Sequence, residues 1–425
     1  MEYFDDVPSQ RIEGMRGVML GGALGDALGY PLERLSSDQI LERYGRDGPE
    51  APHLDEESGR SLISECTQLV LYTACAGLIG DTRLRLRGIG GPPSCYAKRC
   101  YWDWHITQIC SYPPPYEMIE GSFAWLNAVP GMYCKRTVDG GTAEALGEWS
   151  TEEGWGQVHS QGSNPSNRGC CGAVRVAPVA LLRWSGERGD SCSGMGEGDS
   201  DAREQGARLC RLTHGHPVGW LCGAVMVGTL QNLLHCPASP GEAALSAAEA
   251  VAAQYPEEAE SSAQIINTLR QALDLAAGGQ SDEACTAALG GRSAEKVLAV
   301  AVLCAQRHPD DFAGALRAAV CHGGSPAASG TLCGQIMGAR LGAGALPGAW
   351  LDRLELAEVV RQIADDLAIL CPCNGETWEL HDEDWLRRYG GAPFDDYGER
   401  EPYRYRGYHV PGLPKGQQIL SEDKT

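Results

Sequence analysis

Apolar residues recur along this chain at three- and four-residue spacing, the repeat of a helix face, and alternating apolar and polar runs are essentially absent. The spacing predicts helices over Ser64–Leu78, Asp103–Ser111, Val174–Trp184, Val218–Leu234, Gly241–Gln254, Ala259–Ala277, Ala294–Arg307, Asp310–Cys321 and Leu354–Leu370. The expected fold class is all-α.

Two glycine series sharpen that expectation. Gly17, Gly21, Gly25 and Gly29 recur every four residues in the first helix, and Gly330, Gly334, Gly338 and Gly342 do the same near the end. Residues four apart share one helix face. Glycine inside a helix costs up to about 1 kcal/mol relative to alanine, so two regular series call for a compensating gain. A ridge without side chains lets a second helix approach closely, which predicts central packing of both segments.

Three polar stretches interrupt the pattern. Residues 45–60 are acidic and carry glycine and proline; residues 186–206 form a low-complexity polar insertion; residues 399–425 make a proline-punctuated tail. No long linker separates the rest, so residues 11–390 read as one domain with a mobile insertion at 186–206. No apolar run approaches the roughly 20 residues of a membrane-spanning helix, and Met1-Glu2-Tyr3-Phe4-Asp5-Asp6 is acidic rather than a secretory signal. The expected location is the cytoplasm. The formal net charge is −21, which argues against nucleic acid as a partner. A small anionic ligand then requires local donors to offset the field. The 18 cysteines include Cys170-Cys171 and Cys371-Pro372-Cys373 but no pair of CxxC motifs. They read mostly as small buried apolar residues rather than a zinc site or a disulfide framework.

Candidate chemistry sits in a few segments. In Gly21-Gly22-Ala23-Leu24-Gly25-Asp26-Ala27-Leu28-Gly29-Tyr30-Pro31-Leu32-Glu33, a helix of small residues ends at Gly29 and Pro31 stops it. Asp26 lies on the helix and Glu33 just beyond. Asp26 reads alone as a cap or core carboxylate, Glu33 as a solvated loop acid, and both as acids able to reach a cleft. In Ser64-Glu65-Cys66-Thr67, Ser64 is a natural N-cap. Asn167-Arg168-Gly169-Cys170-Cys171-Gly172-Ala173-Val174-Arg175 runs from a glycine-bearing loop into a helix, an arrangement suited to anions. Thr213-His214-Gly215-His216 offers two histidines, more often structural than ligating. The stretch His322-Gly323-Gly324-Ser325-Pro326-Ala327-Ala328-Ser329-Gly330 looks like a metal-binding turn without carboxylates, for no Asp or Glu lies between His322 and Asp352.

In this order the segments resemble the ADP-ribosylglycohydrolase family over about Arg11 to Tyr389. Weaker echoes lie at Tyr101-Trp102-Asp103-Trp104, at Asp139-Gly140-Gly141-Thr142 and at Asp311 to Val320. The resemblance implies a compact orthogonal helical bundle and cleavage of an N- or O-glycosidic bond of ADP-ribose. It implies a pair of Mg²⁺ or Mn²⁺ ions held by two motifs, Thr/Ser-Asp-Asp-Thr and Gly-Asp-x-Asp-Thr/Ser. In this chain Ser64-Glu65-Cys66-Thr67 stands at the first, and Ser325, Ala327 and Ala328 replace the ligands of the second. Hard divalent cations require oxygen ligands, and a Cys66 thiolate would favour soft ions. No dinuclear site and no cofactor are therefore expected. The resemblance further implies that Gly169, Cys170 and Gly172 cradle phosphate, with Arg175 nearby, that His214 approaches the ligand, that Glu33 is a gating acid and that Asp26 floors the pocket.

Two functions compete. One is binding of ADP-ribose, a related nucleotide or a protein partner without hydrolysis. The other is repurposed metal-free chemistry using Asp26, Glu33, Glu65, Cys66 and His322, with paired carboxylates or a Cys–His pair as the reactive groups. An active metal-dependent hydrolase is the third and least expected reading.

Overall fold

A computed structural model describes residues 7–88, 90–119, 121–136, 140–149, 164–185, 199–373, 380 and 382–390. In chain order its helices are α1 (Ser9–Gly29), α2 (Ser37–Tyr44), α3 (Glu65–Arg87), α4 (Pro93–Ile109), α5 (Tyr116–Ile119), α6 (Gly140–Trp149), α7 (Cys171–Val174), α8 (Ala177–Ser185), α9 (Asp199–Arg211) and α10 (Pro217–His235). These are followed by α11 (Pro240–Gln254), α12 (Ala259–Ala277), α13 (Asp282–Leu289), α14 (Ala294–Arg307), α15 (Phe312–Val320), α16 (Pro326–Leu341), α17 (Gly348–Leu351), α18 (Ala357–Ile369) and α19 (Glu383–Tyr389). Among the described residues the only extended pairings are two isolated bridges, Ser61 with Leu354 and Gly169 with Ser293. The fold is all-α.

The centre is the antiparallel pair α1 and α16, and the glycine series set its register. Gly17 lies on Gly338, Gly21 on Gly334, Gly25 on Gly330 and Gly29 on the Pro326 carbonyl. A Cβ added to Gly21 would sit 2.5 Å from the Gly334 carbonyl oxygen, and the mirror additions collide with the opposing backbone in the same way. The two backbones touch directly, so the lost helix propensity is offset by dispersion contacts along the ridge. Gly342 departs from the expected series. It is the C-cap of α16 at φ +75°, a left-handed conformation that glycine adopts without a Cβ penalty.

The helices predicted over Ala259–Ala277 and Ala294–Arg307 match α12 and α14 end to end. α4 starts about ten residues before the expected Asp103 because Pro92 and Pro93 open it. Proline is preorganised for the first helical position. α2 was not visible as an apolar pattern and is held by a capping box between Ser36 and Gln39. α9 overlaps the stretch 186–206 read as a loop, so residues 199–206 are helical instead, with Ala207 and Leu209 buried. Residues 186–198 and the tail at 399–425 lie outside the described residues. α10 comes nearer to membrane-spanning length than the sequence suggested. Its 18-residue apolar window has a mean hydropathy of 1.3, yet 89% of that window is buried within the fold, which makes it a core helix. Every cysteine among the described residues is a free thiol and most are buried, as expected for small apolar fillers.

Candidate functional site

Three helix starts meet beside the central pair: the first turn of α3, the first turn of α16 and the short α7. Asp26, in the interior of α1, is wholly buried beneath the first of them. Its carboxylate accepts hydrogen bonds from Ser64 N (2.8 Å), Ser64 Oγ (2.6 Å), Thr67 N (3.1 Å) and Thr67 Oγ1 (2.6 Å). Ser64 Oγ in turn accepts from Cys66 N at 3.1 Å. The first amides of a helix have no partner within it, and an acid placed there also meets the favourable end of the helix dipole. Asp26 is thus the cap of α3. Burial pushes its carboxyl above the usual range, while the donors of Ser64 and Thr67 pull it back.

Glu33 has the matching role at α16. Its Oε1 accepts from Ala327 N at 2.7 Å, and the nominal N-cap, Ser325, makes no side-chain bond to the helix. Pro326, Ala327 and Ala328 are all buried. The two acids expected in a cleft therefore serve the backbone.

Glu65 and Cys66 are also buried. Glu65 N donates to the Arg136 carbonyl at 3.2 Å, and Cys171 Sγ donates to Glu65 Oε1 at 3.7 Å. A hydrogen bond with Cys171 lowers the Cys66 pKa, but burial and the charges of Asp26 and Glu65 outweigh it and push the thiol up to about 12. The nucleophile would be the thiolate, which such a site suppresses at neutral pH.

His322 does not act on Cys66. Its Nδ1 accepts from Gly324 N at 3.1 Å, which makes Nε2 the protonated nitrogen, and Nε2 donates to Ser329 Oγ at 2.8 Å. Ser329 Oγ in turn donates to the Ala319 carbonyl at 2.7 Å. Both ring nitrogens are spent, so the expected Cys–His pair is absent. Burial, with a smaller push from Arg292, lowers the His322 pKa from 6.5 to about 4. The unfolded chain binds that proton near pH 6.5 and the folded chain only near 4. The stability from the neutral ring is complete above pH 6.5 and is lost as pH falls toward 4, by roughly 3 kcal/mol at most. Denaturant unfolding at stepped pH should show this loss for the native chain and a flatter profile for His322→Gln. An identical slope in both would assign the acid sensitivity elsewhere.

The second group of expected ligand contacts is equally inward. Gly169 N donates to Asn167 Oδ1 at 2.7 Å, and Cys170 is buried with its carbonyl bonded to Ala173 N and Val174 N. A Cβ on Gly172 would lie 3.2 Å from the His214 ring, a tighter approach than most side chains make. Arg175 is fully buried. It donates to the Leu209 carbonyl at 2.8 Å and Thr213 Oγ1 at 2.7 Å, and its guanidinium lies 4.4 Å from the Tyr101 ring centre. His214, also fully buried, shares a 2.7 Å hydrogen bond with Thr213 Oγ1. These contacts tie α7, α9 and α4 together, with Cys170, Gly172, Arg175 and His214 buried and Gly169 half-buried. Asp139 lies outside the described residues.

Sequence reasoning missed two contributors. Cys171 reaches Glu65 from α7, although the adjacent thiols Cys170-Cys171 were the available signal. Arg136 and Glu355 form a two-pronged ion pair whose Arg136 Nη2 to Glu355 Oε1 arm is 2.9 Å. Arg136 Nη1 also donates to the Ile63 carbonyl at 3.1 Å, and Glu355 Oε2 accepts from Ile63 N at 3.1 Å. The pair fixes the chain entering α3. Its members are 219 positions apart, and no local pattern links them.

Among the described residues, no group of three or more His, Cys, Asp or Glu side chains is disposed to hold a metal ion. Near the two helix starts the acids are Asp26, Glu33 and Glu65, of which the first is saturated by donors and the second bonds an amide, with thiols filling the space beside the third. This donor set does not fit two hard dications, which require several oxygen ligands each and charge to offset their repulsion.

The described residues thus form an all-α bundle in which capped helix starts converge on a glycine-packed central pair. The ADP-ribosylglycohydrolase profile matches residues 8–377, and the chain belongs to that family. A solved structure described as an ADP-ribosylglycohydrolase-related protein complex shares the fold at 22% identity and a TM-score of 0.53, over 85% of this chain and 99% of its own. At that identity the likeness carries the fold alone. Among curated proteins none matches in sequence.

Proposed function

We propose that this chain is a non-hydrolysing, metal-independent member of its family, in which the inherited reaction centre has become part of the core and the scaffold serves binding. One observation carries the reading: Asp26 and Glu33, the acids of the inherited cleft, accept from backbone amides at the starts of α3 and α16. The Asp26 carboxylate already accepts four hydrogen bonds, and one oxygen of Glu33 is engaged by the Ala327 amide, which leaves these acids less free to bind a cation or orient an attacking water. Cys66, at the position of a family aspartate, remains a protonated buried thiol. The repurposed-chemistry alternative depends on the same groups, and their engagement counts against it. A small-molecule or protein partner is retained in this proposal; nucleic acid is disfavoured by the net charge of −21.

The test is hydrolysis. The purified chain, incubated with mono-ADP-ribosylated arginine and serine peptides and Mg²⁺ or Mn²⁺, should release no ADP-ribose above the no-protein rate. Release that depends on the protein would overturn the proposal. Metal-dependent release would restore the family reaction, and release in chelator would favour repurposed chemistry.

A further inference from the structure

A cavity of about 530 Å³ lies between the start of α2, the loop entering α14 and the loop entering α16, with His322 in its wall and none of Asp26, Glu33, Glu65 or Cys66 lining it. Its wall includes Ser37, Gly291, Arg292, Lys296, Gly323 and Gly324, and among the described residues no Asp or Glu lines it. That is unusual in a chain with 56 acidic and 35 basic residues.

Among the described residues neither Arg292 nor Lys296 makes an ion pair, and the hydrogen bond of Arg292 is a long one, 3.4 Å from Nη2 to the Gly323 carbonyl. Both side chains are exposed at the cavity. Opposite them, Ser37 Oγ accepts from Gly323 N at 2.9 Å, which leaves its hydroxyl proton for another acceptor. The glycines expose backbone between these groups. A Cβ on Gly291 would lie 2.7 Å from the buried His322 ring, and one on Gly324 2.6 Å from His322 Nδ1. The packing that buries His322 thus keeps side chains out of the cavity wall.

We infer that this cavity is a binding site for a phosphate-bearing small molecule of nucleotide size, with Arg292 and Lys296 pairing its phosphate oxygens and Ser37 donating to it. The volume falls in the range of small-molecule sites, roughly 300–1,000 Å³, and exceeds what a lone phosphate fills. A forked guanidinium beside a mobile ammonium suits phosphate oxygens, which accept charge-assisted hydrogen bonds. The surrounding negative field makes local cations necessary for any anion to dwell here, and it makes the binding salt-sensitive. This inference does not rest on the proposed loss of hydrolysis, and its failure would leave that reading intact.

Isothermal titration of the full chain with ADP and with pyrophosphate, using adenosine as the phosphate-free control, tests the site. Both anions should bind with submillimolar affinity and weaken as salt rises. Adenosine should bind at least ten-fold more weakly than ADP. The double variant Arg292→Ala, Lys296→Ala should lose at least ten-fold in anion affinity, whereas Arg292→Lys should keep part of it. Both substitutions are on exposed side chains, and an unchanged ligand-free melting temperature separates lost binding from lost folding. Anion affinity unaltered in the double variant, or no binding of ADP and pyrophosphate at millimolar concentration, would overturn the inference.

Discussion

Gly25→Ala should destabilise this protein by about 2 kcal/mol or more, although alanine is the better helix former. The substitution gains up to about 1 kcal/mol in helix propensity. Against that, the new Cβ is driven into the Gly330 carbonyl, backbone that cannot swing aside as a side chain would. Overpacking of a tight core costs typically 1–3 kcal/mol and occasionally more, and here α1 and α16 must separate along their length to relieve it. Gly25→Val should be worse. Gly348→Ala is the control, since nothing lies within 4 Å of the added Cβ. Denaturant midpoints for the three variants test the argument. A Gly25→Ala chain as stable as the native one would mean that the two helices are not in backbone contact.

Asp26→Ala should have an effect of similar or larger size, on the order of 3 kcal/mol. It removes the acceptor of two amides and two hydroxyls at the start of α3, all buried. Each buried donor left without a partner costs about 1–3 kcal/mol, and the hydroxyls recover part of that by rotating to other acceptors. Asp26→Asn keeps one acceptor oxygen but turns an amide group toward the remaining donors, so it should fall between the two. Ser64→Ala and Thr67→Ala should each cost about 1 kcal/mol, as caps do. The Asp26–Thr67 double-mutant cycle should show clear coupling, because the residues share a hydrogen bond. If Asp26→Ala were neutral in stability, Asp26 would be a pocket acid rather than a cap.

These two positions also show how far the sequence could be read. The four-residue glycine spacing reports helix packing directly, because only a backbone-to-backbone contact rewards it, and the α1–α16 pair followed. Asp26 was visible as a core carboxylate or cap, yet its partners Ser64 and Thr67 are about 40 residues away, and only the fold joins them. Glu33 carried the reading of a cleft acid because a loop acid near a glycine-rich helix end has two outcomes, and the fate of its carboxylate depends on Ala327, 294 residues on. Arg175 and His214 are the opposite case. A cation and an imidazole beside a glycine-bearing loop look like ligand contacts in one dimension, whereas in three dimensions α9 and Tyr101 cover them. That Ser325, Ala327 and Ala328 carry no carboxylate was legible residue by residue, and noticing it needs no geometry. The cavity at Arg292 and Lys296 escaped because two cations four positions apart read as a solvated helix start. Their meaning comes from Ser37 and Gly323 on other elements.

We propose that the inherited centre holds no metal. The most direct measurement is titration of the purified, chelator-treated chain with Mn²⁺, followed by the loss of the free-ion electron paramagnetic resonance signal. The account predicts no saturable binding below millimolar Mn²⁺, for the native chain and for Glu65→Gln alike. Saturable binding of one or two Mn²⁺ per chain at micromolar concentration, weakened by Glu65→Gln, would contradict it.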